Sequence, residues 1–213
     1  MTLIQSISGI RGTMGGLPGE GLTPVDVVKF AGAYGMWLKS RFGGSRLTVV
    51  VGRDARISGM MINKLLTAVL QGMGIDIVDA GISTTPTVAN GVKFLSAQGG
   101  VVVTASHNPK QWNALKLLND NGEFISSRQG EEIQGFLDLS QMVFAGIDNL
   151  GSYQKDESLL ETHIEKILSL PLVNSDAIRA AKFTIVVDGV NSSGGIAVPM
   201  LLEALGVRKI HEL

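Results

Sequence analysis

Short β-branched runs recur along this chain, each followed by a segment with helical spacing, and that alternation restricts the fold more than any other feature. Leu47-Thr48-Val49-Val50-Val51 is the clearest such run and ends in Gly52-Arg53-Asp54. Ser58 then stands where it can cap a helix carrying Leu65, Leu66, Val69 and Leu70, which stops near Gly72 and Gly74. A strand over 75–78, a short helix over 87–95 and the run Gly100-Val101-Val102-Val103 continue the pattern. Upstream, Thr23 is an N-cap candidate with Pro24 at the first helical position, and Val27, Phe30, Ala31, Tyr34 and Leu38 fall on one helix face. Parallel neighbours need crossover connections, so this order predicts an α/β fold with a mostly parallel mixed sheet and helices on both faces.

The remainder divides the chain. Residues 115–118 and 123–125 flank Asn121-Gly122, a dipeptide that tolerates the positive φ of a tight turn, and predict two short strands at an antiparallel edge. A helix over 127–137 closes a first domain spanning 1–139, and the weakly periodic stretch 140–156 reads as a linker. From 157 onward a helix to 168, the strand 183–187, a turn rich in Gly and Ser, a helix over 196–205 and a strand from 207 begin a second, similar α/β domain. One βαβ step cannot bury both faces of a sheet, so 157–213 reads as the truncated N-terminal part of that domain.

The charge balance narrows the partners. With 18 basic and 19 acidic side chains, the formal charge is −1, and no global field favours nucleic acid or an anionic membrane. The chain has no cysteine, which excludes disulfides, thiolate catalysis and cysteine zinc sites. No basic segment followed by an apolar run opens the chain and no span approaches 20 apolar residues, so a cytoplasmic location is expected.

Chemistry concentrates in Thr104-Ala105-Ser106-His107-Asn108-Pro109, directly after the Val101 strand. Asn108-Pro109 stops regular structure, which leaves Ser106 on a loop anchored by a buried strand. Ser106 and His107 do not read as a hydrolase pair, because adjacent extended residues point apart and no Gly-x-Ser-x-Gly elbow is present. Either Ser106 is a hydroxyl nucleophile, or Ser106 and Asn108 serve only turn hydrogen bonds. Lys116 interrupts an apolar strand, where its ammonium needs an anion beside it or a solvent-facing edge. Near the start, Ser8-Gly9-Ile10-Arg11-Gly12-Thr13 reads as a loop that sets an arginine fork between glycines, suited to phosphate oxygens. In Arg53-Asp54-Ala55-Arg56, an Arg53–Asp54 pair bracing the loop is expected. The turn 188–195 resembles a strand-loop-helix anion site but matches neither phosphate-loop nor dinucleotide fingerprints, and turn architecture is the safer reading.

Residues 8–12, Val51-Gly52-Arg53-Asp54-Ala55-Arg56-Ile57-Ser58-Gly59, the string 104–109, residues 113–116 and Val187-Asp188-Gly189 together resemble the α-D-phosphohexomutase family in order and spacing over nearly the whole chain. That family includes phosphoglucomutases, phosphomannomutases and phosphoglucosamine mutases. The resemblance implies four α/β-type domains around a cleft, with this chain holding the first and the opening of the second. It implies that Ser106 carries a phosphoryl group and donates it to a hexose phosphate. Ser106 then recovers a phosphoryl group from the other end of a reoriented hexose bisphosphate, which serves as intermediate and activator. It further implies Lys116 as general acid/base, His107 and Arg11 as residues that orient the phosphoryl group and the sugar, and one Mg²⁺ per full-length protein bound through the phosphate on Ser106. A phosphosugar is then the expected partner, with neither nucleic acid nor membrane involved, and the oligomeric state stays open.

Two departures from the family pattern matter. Asn113-Ala114 stands where the family usually has Asn-Gly. The family's Asp-Gly-Asp-Gly-Asp-Arg metal loop, its sugar-recognition loop and its C-terminal phosphate loop do not occur in these residues. The chain alone is therefore expected to be inactive and to bind Mg²⁺ poorly. A non-catalytic phosphosugar-binding module is the alternative reading, and sugar identity is not legible.

Overall fold

The computed structural model describes residues 1–6, 9–43 and 46–213, so Ser8 of the N-terminal motif lies outside the described residues. The elements run β1 (Leu3–Ser6), β2 (Gly9–Thr13), α1 (Pro24–Phe42), β3 (Leu47–Arg53), α2 (Gly59–Gly72), β4 (Ile75–Ile82), α3 (Thr85–Phe94) and β5 (Gly99–Val103). They continue with β6 (Trp112–Leu118), α4 (Ser127–Gln134), β7 (Tyr153–Lys155), α5 (Leu159–Leu168), α6 (Ser175–Ala181), β8 (Thr184–Val187), α7 (Ser193–Ala204) and β9 (Lys209–Glu212).

Seven strands form one sheet in the order β1-β2-β6-β5-β3-β4-β7. Strand β3 is parallel to β4 and β5, and β4 to β7, whereas β6 runs antiparallel to both β5 and β2, and β1 antiparallel to β2. Five strands therefore share a direction and two oppose it, as the mostly parallel α/β expectation requires. Strand alternation sends side chains to two cores. Val49, Val51, Val101, Val103, Leu115 and Leu117 meet α1 and α2 on one face; Val50, Val102 and Leu118 meet Val88 and Val92 of α3 and Leu159 of α5 on the other. Burying each such side chain contributes on the order of 2 kcal/mol. Among the described residues, no helix is long and apolar enough to cross a membrane.

Local chemistry explains the first helix. Thr23 accepts from the Asp26 amide while the Asp26 carboxylate accepts from the Thr23 amide, a reciprocal cap with Pro24 beside it. Tyr34, fully buried, donates to the carbonyl of Leu118 at 2.7 Å, with that of Gly100 at 3.2 Å, and burial pushes its phenol pKa up. Trp37 donates from Nε1 to Glu132, which fastens α4 to α1.

Several expectations change. The segment over 9–13 is strand β2 and not a loop, because it pairs on one side with β1 and on the other with β6. That partnership also makes β6 an inner strand, so the expected antiparallel edge at 115–118 is not one. Beyond the turn only a single bridge, Leu118 with Phe124, forms. Residues 140–156, expected as a linker, pack onto the first unit: Ala145 and Gly151 donate to the carbonyls of Gly72 and Gln71, and β7 extends the sheet beside β4. The short helix α6 has no counterpart in the sequence reading. In the last segment, β8 and β9 form a parallel pair connected by α7, leaving Phe183, Val186 and Val190 exposed.

Asp76, at the start of β4, gathers the Arg46 guanidinium and both the amide and hydroxyl of Ser152, and thereby ties the chain leading into β7 to the sheet. The Arg46 hydrogen bond, with Ser152 adding to it, lowers the Asp76 pKa to about 2. A carboxyl depressed on folding stabilises fully above its unfolded value, 3.8, and loses that contribution as pH falls through about 2. Because Arg46 is largely exposed, solvent screening leaves about 1–2 kcal/mol. Asp76→Asn should unfold at correspondingly lower urea at pH 7, with the gap to the parent narrowing between pH 4 and pH 2; a gap independent of pH would show that the charge is not the cause.

Candidate functional site

The parallel strands β3, β4 and β5 all deliver their carboxyl ends to the same edge of the sheet, where connections to opposite faces diverge and ligands of open α/β sheets are commonly held. The loops after β3 and β5 meet there: the Asp54 amide donates to the Val103 carbonyl, and the Ser83 amide, after β4, donates to that of Arg53. Ser106 sits at the tip of the β5–β6 loop, exposed, with φ of +55°. A non-glycine residue in that region stores backbone strain on the order of 1–3 kcal/mol and persists only where its surroundings hold it.

Those surroundings are built from polar side chains. The Ser106 amide donates to Thr104 Oγ1 at 3.0 Å, and Thr104 in turn donates to Asp54 Oδ2 at 2.6 Å. Arg56 lies beside them. Its Nε donates to Asp54 Oδ2 at 3.1 Å, its Nη1 to the carbonyls of Pro109 and Trp112, and its Nη2 to the carbonyls of Ser106 and Asn108 at 2.7 and 2.6 Å. All five N–H donors of the guanidinium are thus used. The expected Arg53–Asp54 ion pair does not form: Arg53 donates only to the Asp54 backbone carbonyl, and Arg56 takes the carboxylate. The reason is local, since the Arg56 amide donates to Asp54 Oδ1 in a tight turn that swings the Arg56 side chain back over the carboxylate. Ser58 occupies the N-cap position of α2 without capping through its side chain; its Oγ accepts from Asn113 Nδ2 instead. Asn113, fully buried, thereby joins the start of β6 to the β3 loop.

Of the residues singled out in the sequence, the structure brings Arg11 and Lys116 onto one face. Arg11 on β2 is directly opposite Ala114 of β6, and Lys116 is two residues further along that strand, so the pleat sends both side chains to the same side. Arg11 is exposed, and half-buried Lys116 places its ammonium 5.7 Å from the centre of the Phe124 ring. His107 follows Ser106 on the exposed tip of the loop. Thr104, Asn113 and the Arg56–Asp54 pair belong to the site but were not assigned such roles from sequence; mixed charge straight after a buried strand was the available signal.

Among the described residues, no group of three His, Asp or Glu side chains is placed to hold a metal ion. Asp54, the carboxylate of the loop, is already engaged by Arg56 and Thr104. The residues present do not by themselves fit a magnesium ion.

A family model described as phosphoglucomutase/phosphomannomutase, alpha/beta/alpha domain I, matches residues 3–141. The chain belongs to that family. A phosphoglucomutase/phosphomannomutase of Thermococcus kodakarensis is 35% identical over 93% of this chain and 43% of its own length. A probable phosphoglucosamine mutase of Methanopyrus kandleri is 34% identical over 95% of the chain and 41% of its own. The chain therefore spans less than half the length of these relatives. Among solved structures, a putative phosphomannomutase from Thermus thermophilus superimposes with a TM-score of 0.83 at 24% identity, over 99% of this chain and 45% of that one, a likeness of fold. Membership of the phosphoglucomutase/phosphomannomutase family agrees with the α/β layering and with the resemblance noted in the motifs.

Proposed function

We propose that the full-length protein is a cytoplasmic intramolecular phosphotransferase that interconverts hexose 1-phosphates and hexose 6-phosphates through a phosphoserine at position 106. The observation that carries this reading is the exposed Ser106 on a loop whose backbone carbonyls take four hydrogen bonds from one guanidinium, itself paired with the Asp54 carboxylate. Family membership supplies the reaction class.

In the forward step the Ser106 Oγ–P bond breaks as a bond forms from phosphorus to the free hydroxyl of the hexose phosphate, and Lys116, acting as the neutral amine, takes the hydroxyl proton and passes a proton to the departing Ser106 oxygen. The bisphosphorylated sugar turns over in the site. Ser106 Oγ then bonds to the phosphorus of the sugar's other phosphoryl group as that sugar O–P bond breaks, the serine proton passing through Lys116 to the departing sugar oxygen, and the enzyme is again phosphorylated. Arg11, on the same face as Lys116, offers a planar fork to a sugar phosphate, and His107 orients the phosphoryl group on its neighbour. A phosphoserine brings about −1.5 to −2 charges to this edge, a charge that the Arg11 guanidinium can offset. A Mg²⁺ ion, if bound in the full-length protein, would be held from this chain through the phosphate on Ser106 and would offset charge developing on the transferred group; by the same reading, residues 1–213 alone are inactive.

The test is covalent. Incubation of the full-length protein with a hexose bisphosphate should add one phosphate to the intact mass, mapped by peptide fragmentation to Ser106. Failure to incorporate phosphate would leave a non-catalytic phosphosugar-binding module as the surviving reading.

A further inference from the structure

We infer that Arg56 is a positioning residue for phosphoryl transfer: by gathering four carbonyls of the Ser106 loop and the Asp54 carboxylate, it holds Ser106 in the left-handed conformation that presents its hydroxyl. The inference rests on the proposed function of Ser106 and assigns the device that aims it.

The geometry carries the argument. The carbonyls of Ser106, Asn108, Pro109 and Trp112 all converge on Arg56 Nη1 and Nη2 within 3.1 Å. Carbonyls within one short loop repel one another when their dipoles converge, so the loop closes into this shape only around a cation with fixed, planar donors. A lysine at 56 would supply the charge but not the fork, and its three donors cannot reach five acceptors. On the far side, Asp54 accepts from Arg56 and from Thr104, and Thr104 accepts the amide of Ser106. The peptide groups on both sides of Ser106 Cα are thereby held by one connected network, its amide through Thr104 and Asp54 and its carbonyl directly by Arg56. Both charged side chains are only 13% exposed, so the pair is little screened and either partner left alone is costly to keep there. Arg56 donates all five guanidinium protons to the loop carbonyls and to Asp54 and keeps none for a sugar phosphate, which separates its role from that of Arg11.

The prediction is a loss of rate without a matching loss of binding. In the full-length protein, Arg56→Lys should lower kcat by roughly 10²-fold while KM for the hexose phosphate stays within about threefold, because a nucleophile displaced by an ångström loses alignment while the sugar-binding groups are untouched. Hydrogen exchange should accelerate at the amides of residues 104–112 and not across α1 or β4. Asp54→Asn should reproduce the pattern, and the double substitution should cost little more than either alone. Unchanged exchange at 104–112 in a folded Arg56→Lys protein overturns the inference, as does a kcat within threefold of the parent. If the parent takes up no phosphate at Ser106, the proposed function fails, and the exchange readout still decides whether Arg56 holds the loop.

Discussion

Replacing Ser106 by alanine in the full-length protein should lower hexose phosphate interconversion by at least ~10⁴-fold, about 5.5 kcal/mol of transition-state stabilisation, and should abolish phosphate incorporation. The fold should hardly notice. The hydrogen bonds that fix residue 106 run through its amide to Thr104 and its carbonyl to Arg56, and alanine keeps both. Alanine and serine carry the same Cβ into φ of +55°, so the stability change should stay within ~0.5 kcal/mol. Ser106→Gly is the sharper control. Glycine adopts positive φ without penalty, so this variant should be more stable than the parent by up to about 1 kcal/mol and yet equally inactive. Loss of activity together with a gain in stability cannot come from misfolding. A residual rate within tenfold of the parent in either variant would remove Ser106 from the chemistry.

Much of this architecture was legible before any coordinates, and the exceptions share a cause. Strands β3 and β5 announce themselves because a strand buried on both faces must be apolar throughout, and Val49-Val50-Val51 and Val101-Val102-Val103 are. Helix α1 is marked by Thr23, Pro24 and Asp26, whose capping interactions are local in sequence. What failed to show is what depends on distant partners. Gly9 and Gly12 make 9–13 look like a loop, and only the pairing with β1 and β6 makes it a strand. Tyr153-Gln154-Lys155 has no apolar period, and becomes β7 because β4 offers an open edge. The same limit applies to the site. Ser106, His107, Arg11 and Lys116 stand out by residue type and by the family motif. The choice of Arg56 over Arg53 as partner of Asp54 turns on the direction of one side chain in a tight turn, which the string Arg-Asp-Ala-Arg does not encode.

Gly9→Ala should be among the most damaging single-methyl changes in the chain, and it ties the stability of the sheet to the site. Gly9 has φ of +117°, and a Cβ built on it would lie 2.1 Å from the Leu115 carbonyl oxygen and 3.0 Å from Lys116 Cα. The obstacle is backbone of the neighbouring strand, which cannot swing aside as a side chain can. Strand β2 must therefore retreat from β6 beside Lys116, losing ladder hydrogen bonds in addition to the strain of forcing alanine into that conformation, for a total of roughly 3 kcal/mol or more. Gly43 provides the comparison: its φ of +68° is also positive, but among the described residues nothing lies within 4 Å of its would-be Cβ. Gly43→Ala should cost only the strain of that glycine-favoured conformation, about 1–2 kcal/mol. Urea unfolding of the two variants side by side isolates the steric part, since both carry the conformational one. In the full-length protein, Gly9→Ala should also reduce the rate under folded conditions, because the retreat displaces Arg11 and Lys116 relative to each other, whereas Gly43→Ala, far from both, should not. Equal stability losses for the two variants would mean that the contact between β2 and β6 at Gly9 is looser than it stands here, and would detach the glycine from the placement of Lys116.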